Sequence, residues 1–257
     1  MPSTWKSMVF AALAAGGPAY AGPPFRTDDP QPVDPGHLEL YLFAAGQQAQ
    51  GARSGVGPAV EFNYGLLPDT QIHLIVPRAY DAGRTGAGDT ELGVKYRFLH
   101  ETDTLPQVGS FPLIVLPTAR AGLGSGHTQV YLPVWVQKSW GPWTTYGGAG
   151  WWRSPGTGNR NWTYAGWLAQ RDLGEKLTLG AEAFHTTAAT VAGQASGGFN
   201  AGGQVNLSER HHLLFSAGRT VSGERSSFFY LGYQFTAGGF GTLGSWLHGT
   251  PKVPPSE

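Results

Sequence analysis

The sequence lacks cysteine in all of its 257 residues, which excludes disulfide scaffolds, thiolate metal sites and cysteine nucleophiles. Charged residues make up only 13% of the chain, about half the share that is usual in soluble domains. Basic and acidic residues number 17 each, so no basic excess is available to neutralise nucleic-acid phosphates. We therefore expect neither nucleic-acid binding nor cysteine chemistry.

Long apolar runs are also missing after the first 25 residues, although a transmembrane helix needs about 20 such residues in succession. What the chain has instead is 39 glycines and an aromatic content of 12%. This composition favours short strands and tight turns. A β-barrel can still cross a membrane, because only every second residue of its strands faces lipid.

The first 21 residues have the pattern of a cleaved secretory signal. Lys6 provides the positive start, Met8–Ala15 is a short apolar stretch, and Ala19–Ala21 is a small-x-small cleavage site. We expect residues 1–21 to direct export to the outer membrane of a Gram-negative bacterium. Residues 22–35 are too rich in proline for a helix or a strand ladder, and residues 238–257 form an irregular tail.

Strand-like alternation dominates residues 36–237. It is clearest in Asp89–Phe98, where an apolar set of side chains alternates with a set that carries four charges. The pattern recurs to give about twelve strands, joined alternately by short turns and by longer glycine-rich loops, of which Tyr80–Ala87 is one example. The predicted fold is all-β, a single antiparallel transmembrane barrel of about twelve strands.

The apolar face of these strands is predicted to point outward, towards lipid. The opposite faces carry Gly, Asn, Gln and charges of both signs, and are not dense in Lys and Glu. Aromatic residues between Trp143 and Trp167 cluster near strand ends, as interfacial girdles do: they are Trp143, Trp151, Trp152, Trp162, Tyr164 and Trp167.

Several motifs resemble one family of outer-membrane proteins. They are TDDP (Thr27–Pro30) followed by Glu39, GDTELGVKYRF (Gly88–Phe98), LPT (Leu116–Thr118), GWLAQ (Gly166–Gln170), LTLGAEAFH (Leu177–His185), FNAGG (Phe199–Gly203) and HHLLFSAGR (His211–Arg219). In these the chain resembles the meta-pathway of phenol degradation family, whose members are often described as transporters. The resemblance covers nearly the whole chain after the signal. It implies a monomeric barrel that passes small hydrophobic or aromatic compounds, and it carries no catalytic motif.

Charged residues on the polar faces are the candidate site. We expect them to form a polar network in the lumen, consisting of Glu39, Glu61, His73, Asp89, Glu91, Lys95, Arg97 and Glu182. Such a network either braces the barrel through paired charges or forms a constriction that selects permeants. Residues 22–35, which precede the first strand, are either a loose leader or a plug whose Asp28 and Asp29 pair with Lys95 and Arg97.

Three functions follow from these observations. The leading prediction is a non-enzymatic passive pore or transporter for small hydrophobic or aromatic compounds, with membrane lipid as its surroundings and no cofactor or metal. One alternative is a lipid-modifying hydrolase that uses Ser125 and His127, although the order and loop position of this pair are unfavourable and no G-x-S-x-G motif occurs. The other is a closed structural or binding barrel.

Overall fold

A computed structural model describes residues 23–240, so the predicted signal peptide and most of the predicted tail lie outside the described residues. All regular elements in this range are strands. They are β1 (Leu38–Ala49), β2 (Ala52–Leu67), β3 (Thr70–Asp81), β4 (Arg84–Ala87), β5 (Thr90–Leu99), β6 (Gln107–Ser110), β7 (Leu113–Leu116), β8 (Gln129–Trp140), β9 (Trp143–Arg153), β10 (Trp162–Asp172), β11 (Leu177–Thr186), β12 (Ser196–Asn206), β13 (His211–Ser222) and β14 (Ser226–Ala237). Within residues 23–240 no helix is long and apolar enough to span a membrane.

Twelve barrel strands account for these fourteen segments. β4 and β5 both pair with β3 and are two parts of one barrel strand, interrupted at Gly88 and Asp89. β6 and β7 both pair with β5 and with β8, and they are interrupted at Phe111 and Pro112. Antiparallel pairing of β1 with β14 closes the barrel. The predicted fold class is confirmed.

The two ends of the barrel differ in their connections. We call the end at which β1 begins and β14 ends the terminal end, and the opposite end the loop end. Long connections at the loop end span residues 117–128, 154–161 and 187–195, whereas the terminal end has turns of two to four residues and one longer segment, 100–106. The prediction of a long loop at Tyr80–Ala87 was wrong. Residues Ala82 and Gly83 make a tight turn with positive φ, and the flanking residues pair as a hairpin.

The outer surface is apolar along the middle of the strands. Exposed aliphatic and aromatic side chains there include Leu42, Val60, Val76, Leu92, Val94, Ile114, Leu132, Val134, Phe199 and Leu231. An apolar surface on this scale is stable in lipid and is a liability in water. The exposed face therefore belongs in a bilayer, as the alternation predicted.

The predicted aromatic girdle is only half correct. Trp143, Trp151 and Trp167 are exposed on the outer surface, but Trp152 and Tyr164 are buried inside the barrel. The reason is geometric, because adjacent residues of a strand point to opposite faces and Trp151 and Trp152 cannot share one. The sequence clustering of aromatic residues therefore combines an outer set with an inner set.

Candidate functional site in the barrel lumen

The N-terminal segment, residues 23–35, lies inside the barrel. Phe25 is 2% exposed, and Thr27 and Asp28 are fully buried. Phe25 packs against Tyr146 and Leu168 of the barrel wall. The segment then leaves the lumen at the terminal end, where residues 35 and 36 pair with β2 just before β1 begins. Its position favours the plug over the loose leader.

One side of the segment is held by the carboxylate of Glu182 on β11. The backbone amides of Arg26 and Thr27 each donate a hydrogen bond to it, at 2.8 Å. The side-chain amide of Asn200 donates a third, at 2.9 Å. Hydrogen bonds to a charged acceptor are stronger than neutral ones, so Glu182 is a specific anchor for two successive residues of the chain.

The other side of the segment is held by an ion pair. Lys95 Nζ lies 2.9 Å from Asp28 Oδ1 and 3.5 Å from Asp29 Oδ1. Arg97, the other predicted partner, instead pairs with Asp69 at 2.7 Å and donates to the side-chain oxygen of Gln31. Hydrogen bonds and charge from Arg97 and His100 outweigh burial and hold the pKa of Asp69, a turn residue, below its usual value.

Next to this ion pair, part of the predicted network forms a chain of contacts. His73 Nδ1 lies 2.6 Å from Asn63 Oδ1, and His73 Nε2 lies 3.2 Å from Glu91 Oε1. Asn63 in turn donates to Glu61 at 2.8 Å. All four side chains are buried, so the contacts compensate for the cost of removing their polar groups from water.

The remaining predicted members lie apart from that chain. Glu39 accepts a hydrogen bond of 2.5 Å from Tyr41 near the terminal end. Asp89 accepts bonds from the backbone amides of Ala119 and Ser125 and holds the 117–128 loop at the loop end. The eight predicted residues therefore do not form one network. Glu61, His73 and Glu91 belong to the buried chain, Lys95 and Glu182 anchor the segment, Arg97 of β5 pairs with the turn residue Asp69, Glu39 lies near the terminal end, and Asp89 holds a loop.

The inner wall beside the polar chain is aromatic, which we did not predict from the sequence, and Phe111 meets the His73 ring edge to face at 5.1 Å between centroids. The buried side chains are Phe111, Tyr131, Trp135, Trp152, Tyr164 and Phe184, with Trp162 and Phe228 packed against them. Tyr131 stacks on Trp152 at 4.6 Å between ring centroids, and Trp152 stacks on Trp162 at 5.5 Å. We call this set the aromatic wall. The signal was present in β8, where Tyr131 and Trp135 share a face with Gln129 and Gln137.

Glycine on neighbouring strands allows these rings to lie close to the wall. Gly148 is paired with Trp135, and a Cβ there would come within 2.0 Å of a carbonyl oxygen and 2.9 Å of the indole ring. At Gly150 a Cβ would meet the Tyr131 ring at 2.3 Å. The high glycine content therefore serves the packing of inner rings as well as turns.

The predicted hydrolytic pair does not assemble. The hydroxyl oxygen of Ser125 lies 3.0 Å from the Asp89 carboxylate and 2.7 Å from the backbone carbonyl oxygen of His127, either of which can accept its single proton, and no bond to the His127 ring occurs among the described residues. The described part of the chain also contains no group of three or more His, Cys, Asp or Glu side chains arranged to hold a metal. Ser125 and Asp89 thus organise a loop.

These features define a transmembrane β-barrel of the outer-membrane type with its own N-terminal segment in the lumen. Among solved structures, it is similar to an outer membrane channel from Pseudomonas putida F1, with a TM-score of 0.61, 17% identity and coverage of 80% of this chain and 97% of that one.

Two porins share the fold as well. The KdgM porin in complex with disordered oligogalacturonate has a TM-score of 0.58 at 8% identity, covering 77% of this chain and 98% of that one. The NanC porin has a TM-score of 0.54 at 8% identity, covering 76% and 98%. No protein-family model matches the sequence, and no curated protein matches it.

Proposed function

We propose that this protein is a passive pore of the outer membrane for small apolar or aromatic compounds. The observation that carries the proposal is the aromatic wall, a series of rings in stacked and edge-to-face contact that faces the lumen from β8 to β11, with Phe111 and Phe228 at its two ends. Flat apolar molecules bind such rings through offset stacking and burial of apolar surface, and they find a series of similar contacts along it. A single chain encloses the lumen. We also propose that the protein is a monomer, as the family resemblance implies.

The N-terminal segment decides whether the pore is open. Its buried residues Phe25, Thr27 and Asp28 occupy the lumen between the polar chain and the aromatic wall. A permeant can follow the wall only when this segment shifts. Lys95 and Glu182 are the charged anchors of the segment. Hydrogen bonds from Ser216 to the carbonyl of Pro24 and between Thr27 and Tyr164 add to them, so that a shift breaks a defined set of contacts.

The similarity to outer membrane channels and porins supports this proposal at the level of the fold. The membership in the meta-pathway of phenol degradation family and the choice of permeant remain predictions. Removal of residues 1–21 as a signal peptide also remains a prediction.

The experiment measures entry of the apolar fluorescent amine N-phenyl-1-naphthylamine into Gram-negative cells with an intact outer membrane. We expect cells that make the protein to take up the probe several times faster than cells that do not. Replacement of Trp152 and Phe184 by Leu should reduce the rate. Replacement of Trp151, the outward neighbour, by Leu is the matched control and should leave the rate unchanged.

A closed structural barrel is the second candidate, and the filled lumen is the observation that favours it. The same experiment separates the two functions. Uptake equal to that of cells without the protein, with the barrel present in the outer membrane, would reject the pore and support the closed barrel. No observation in the described residues favours hydrolysis.

A further inference from the structure

Arg26 of the N-terminal segment places its guanidinium group between two phenylalanine rings. Its Cζ lies 4.6 Å from the ring centroid of Phe184 and 4.9 Å from that of Phe228. The two rings themselves meet edge to face, with centroids 5.6 Å apart and an interplanar angle of 60°. Both distances are within the range at which a cation is attracted to an aromatic face.

This guanidinium has no carboxylate partner among the described residues, whereas Lys95 and Arg97 each have one within 3 Å. Glu182 is near, but its oxygens accept the backbone amides of Arg26 and Thr27. The charged group of Arg26 is therefore held by ring faces alone, and part of the side chain remains exposed. A cation held in this way can be exchanged for another cation.

An unused acceptor lies in the same place. Asn200 is 1% exposed, and its Oδ1 has no hydrogen-bond partner, while its amide nitrogen donates to Glu182 and Ser216. Arg26, Asn200, Ser216 and Phe228 together line a small cavity with room for about one water molecule. A buried carbonyl oxygen without a donor is costly, and an N–H group entering this cavity would satisfy it.

We propose that Phe184, Phe228 and Asn200 form a binding site for small organic cations, and that Arg26 occupies it as an internal ligand. Suitable ligands carry a guanidinium or ammonium group, which offers positive charge to the rings and an N–H donor to Asn200 Oδ1. Anions are disfavoured, because Glu182 and Phe184 are successive inward-facing residues of β11, which places a carboxylate beside the site.

The site is coupled to the N-terminal segment. A ligand on the two rings displaces the side chain of residue 26, which removes one of the contacts that keep the segment in the lumen. By reciprocity, loss of the segment from the lumen strengthens ligand binding. This coupling rests on the proposed pore, whereas binding of the cation does not.

The test uses methylguanidinium as the probe and isothermal titration calorimetry of the purified barrel in detergent micelles, where no transport is needed. Arg26→Ala vacates the rings, and we expect this variant to bind methylguanidinium on the order of tenfold more tightly than the wild type, since a difference of about 1.4 kcal/mol corresponds to tenfold. Methylurea, a neutral molecule of nearly the same shape, should not bind.

Ring replacements complete the test. Arg26→Ala combined with Phe228→Leu, and separately with Phe184→Leu, should return the affinity to the wild-type level. Heat-modifiable gel mobility identifies folded barrels. If only one of the two ring variants folds, its affinity for methylguanidinium still tests the proposal. Equal binding by the wild type and Arg26→Ala, binding that survives both ring replacements, or equal binding of methylurea would each overturn the proposal. Failure of probe uptake in cells, with cation binding intact, would reject only the pore.

Discussion

Two parts of the inner wall differ in chemistry, and we call them the polar half and the aromatic half. The polar half lies on β2, β3 and β5, where Glu61, Asn63, His73, Glu91 and Lys95 are buried. The aromatic half is the aromatic wall, which runs from Phe111 through β8, β9 and β10 to Phe184 of β11, with Phe228 of β14 packed against it. The polar half is stabilised by pairing of charges and hydrogen bonds, because its groups have left water, whereas the aromatic half is stabilised by stacking and apolar burial.

The N-terminal segment matches each half with the appropriate residues. Asp28 and Asp29 face Lys95 on the polar half, whereas Phe25 packs against Tyr146 and Leu168 on the other. Different forces therefore fix the segment on its two sides. Salt, acidity and apolar ligands should therefore act on different contacts.

The largest effect on retention of the N-terminal segment should come from substitution of Lys95 on the polar half. Lys95→Met leaves the carboxylate of Asp28 buried without its cation, and removing one partner of a buried ion pair costs about 3–5 kcal/mol. Because β5 keeps its backbone ladder, we expect the cost to release the segment and not to unfold the barrel. Trypsin cleavage after Arg26, measured by mass spectrometry, should become fast.

Asp28→Asn added to Lys95→Met is the control for this prediction. It removes the unpaired charge and should restore much of the protection of Arg26. A single Lys95→Met variant that stays as resistant to trypsin as the wild type would show that the ion pair does not hold the segment.

A charge on the outward neighbour of Lys95 tests whether the outer face of β5 lies in lipid. Val94 is 46% exposed at the middle of β5, and Val94→Arg should cost about 2–4 kcal/mol if lipid surrounds it, measured by urea unfolding in detergent or lipid. Leu99→Arg, at the terminal end of the same strand, should cost only about 0–1 kcal/mol. Similar costs at both positions would argue against a bilayer centred on β5.

Substitution of Glu182, the polar anchor that β11 provides, should weaken retention of the N-terminal segment less than Lys95→Met does. Glu182→Gln keeps an acceptor oxygen but removes the charge that two backbone amides share, and we expect a loss of about 1.5–3 kcal/mol in retention of the segment. Trypsin cleavage after Arg26 should accelerate less than in Lys95→Met. Ala183→Ser, on the outward-facing neighbour, is the control, and faster cleavage in that variant would mean that the assay reports general loosening.

The smallest effect, a change in the stability of the fold, should come from substitution of Asp69 in the turn that joins β2 and β3. The pKa of Asp69 is lowered below the usual value of an aspartate, so this carboxylate stabilises the fold at higher pH and loses its contribution as the pH falls through the lowered value. For a partly exposed pair we expect less than about 1 kcal/mol. Asp69→Asn should be less stable than the wild type at pH 7 and equal to it in strong acid; the same difference at both pH values would contradict this.

The sequence predicted the strands well where alternation was strict, as in Thr90–Leu99, because a strand with one lipid face imposes a period of two. It did not predict the interruptions at Gly88 and Asp89 or at Phe111 and Pro112, which depend on how neighbouring strands pair. Trp151 and Trp152 show that β9 carries aromatic side chains. Because adjacent residues point to opposite faces, the pair does not show whether the lumen or the outer surface is the more aromatic.

The site was harder to predict than the fold. Opposite charge was enough to suggest that Asp28 and Asp29 pair with Lys95, but it also suggested Arg97, which pairs with Asp69. The backbone amides that Glu182 accepts carry no sequence signal, because every residue but proline has one. The aromatic wall arises from tertiary packing, which sequence periodicity does not encode.

Whether the N-terminal segment plugs a pore is tested by single-channel conductance in planar bilayers of the wild type and of a variant that lacks residues 23–33. We expect the deletion variant to fold, as judged by heat-modifiable mobility, and to conduct severalfold more than the wild type because the lumen is no longer filled. A folded deletion variant whose conductance equals that of the wild type would contradict the assignment of the segment as the plug of a pore.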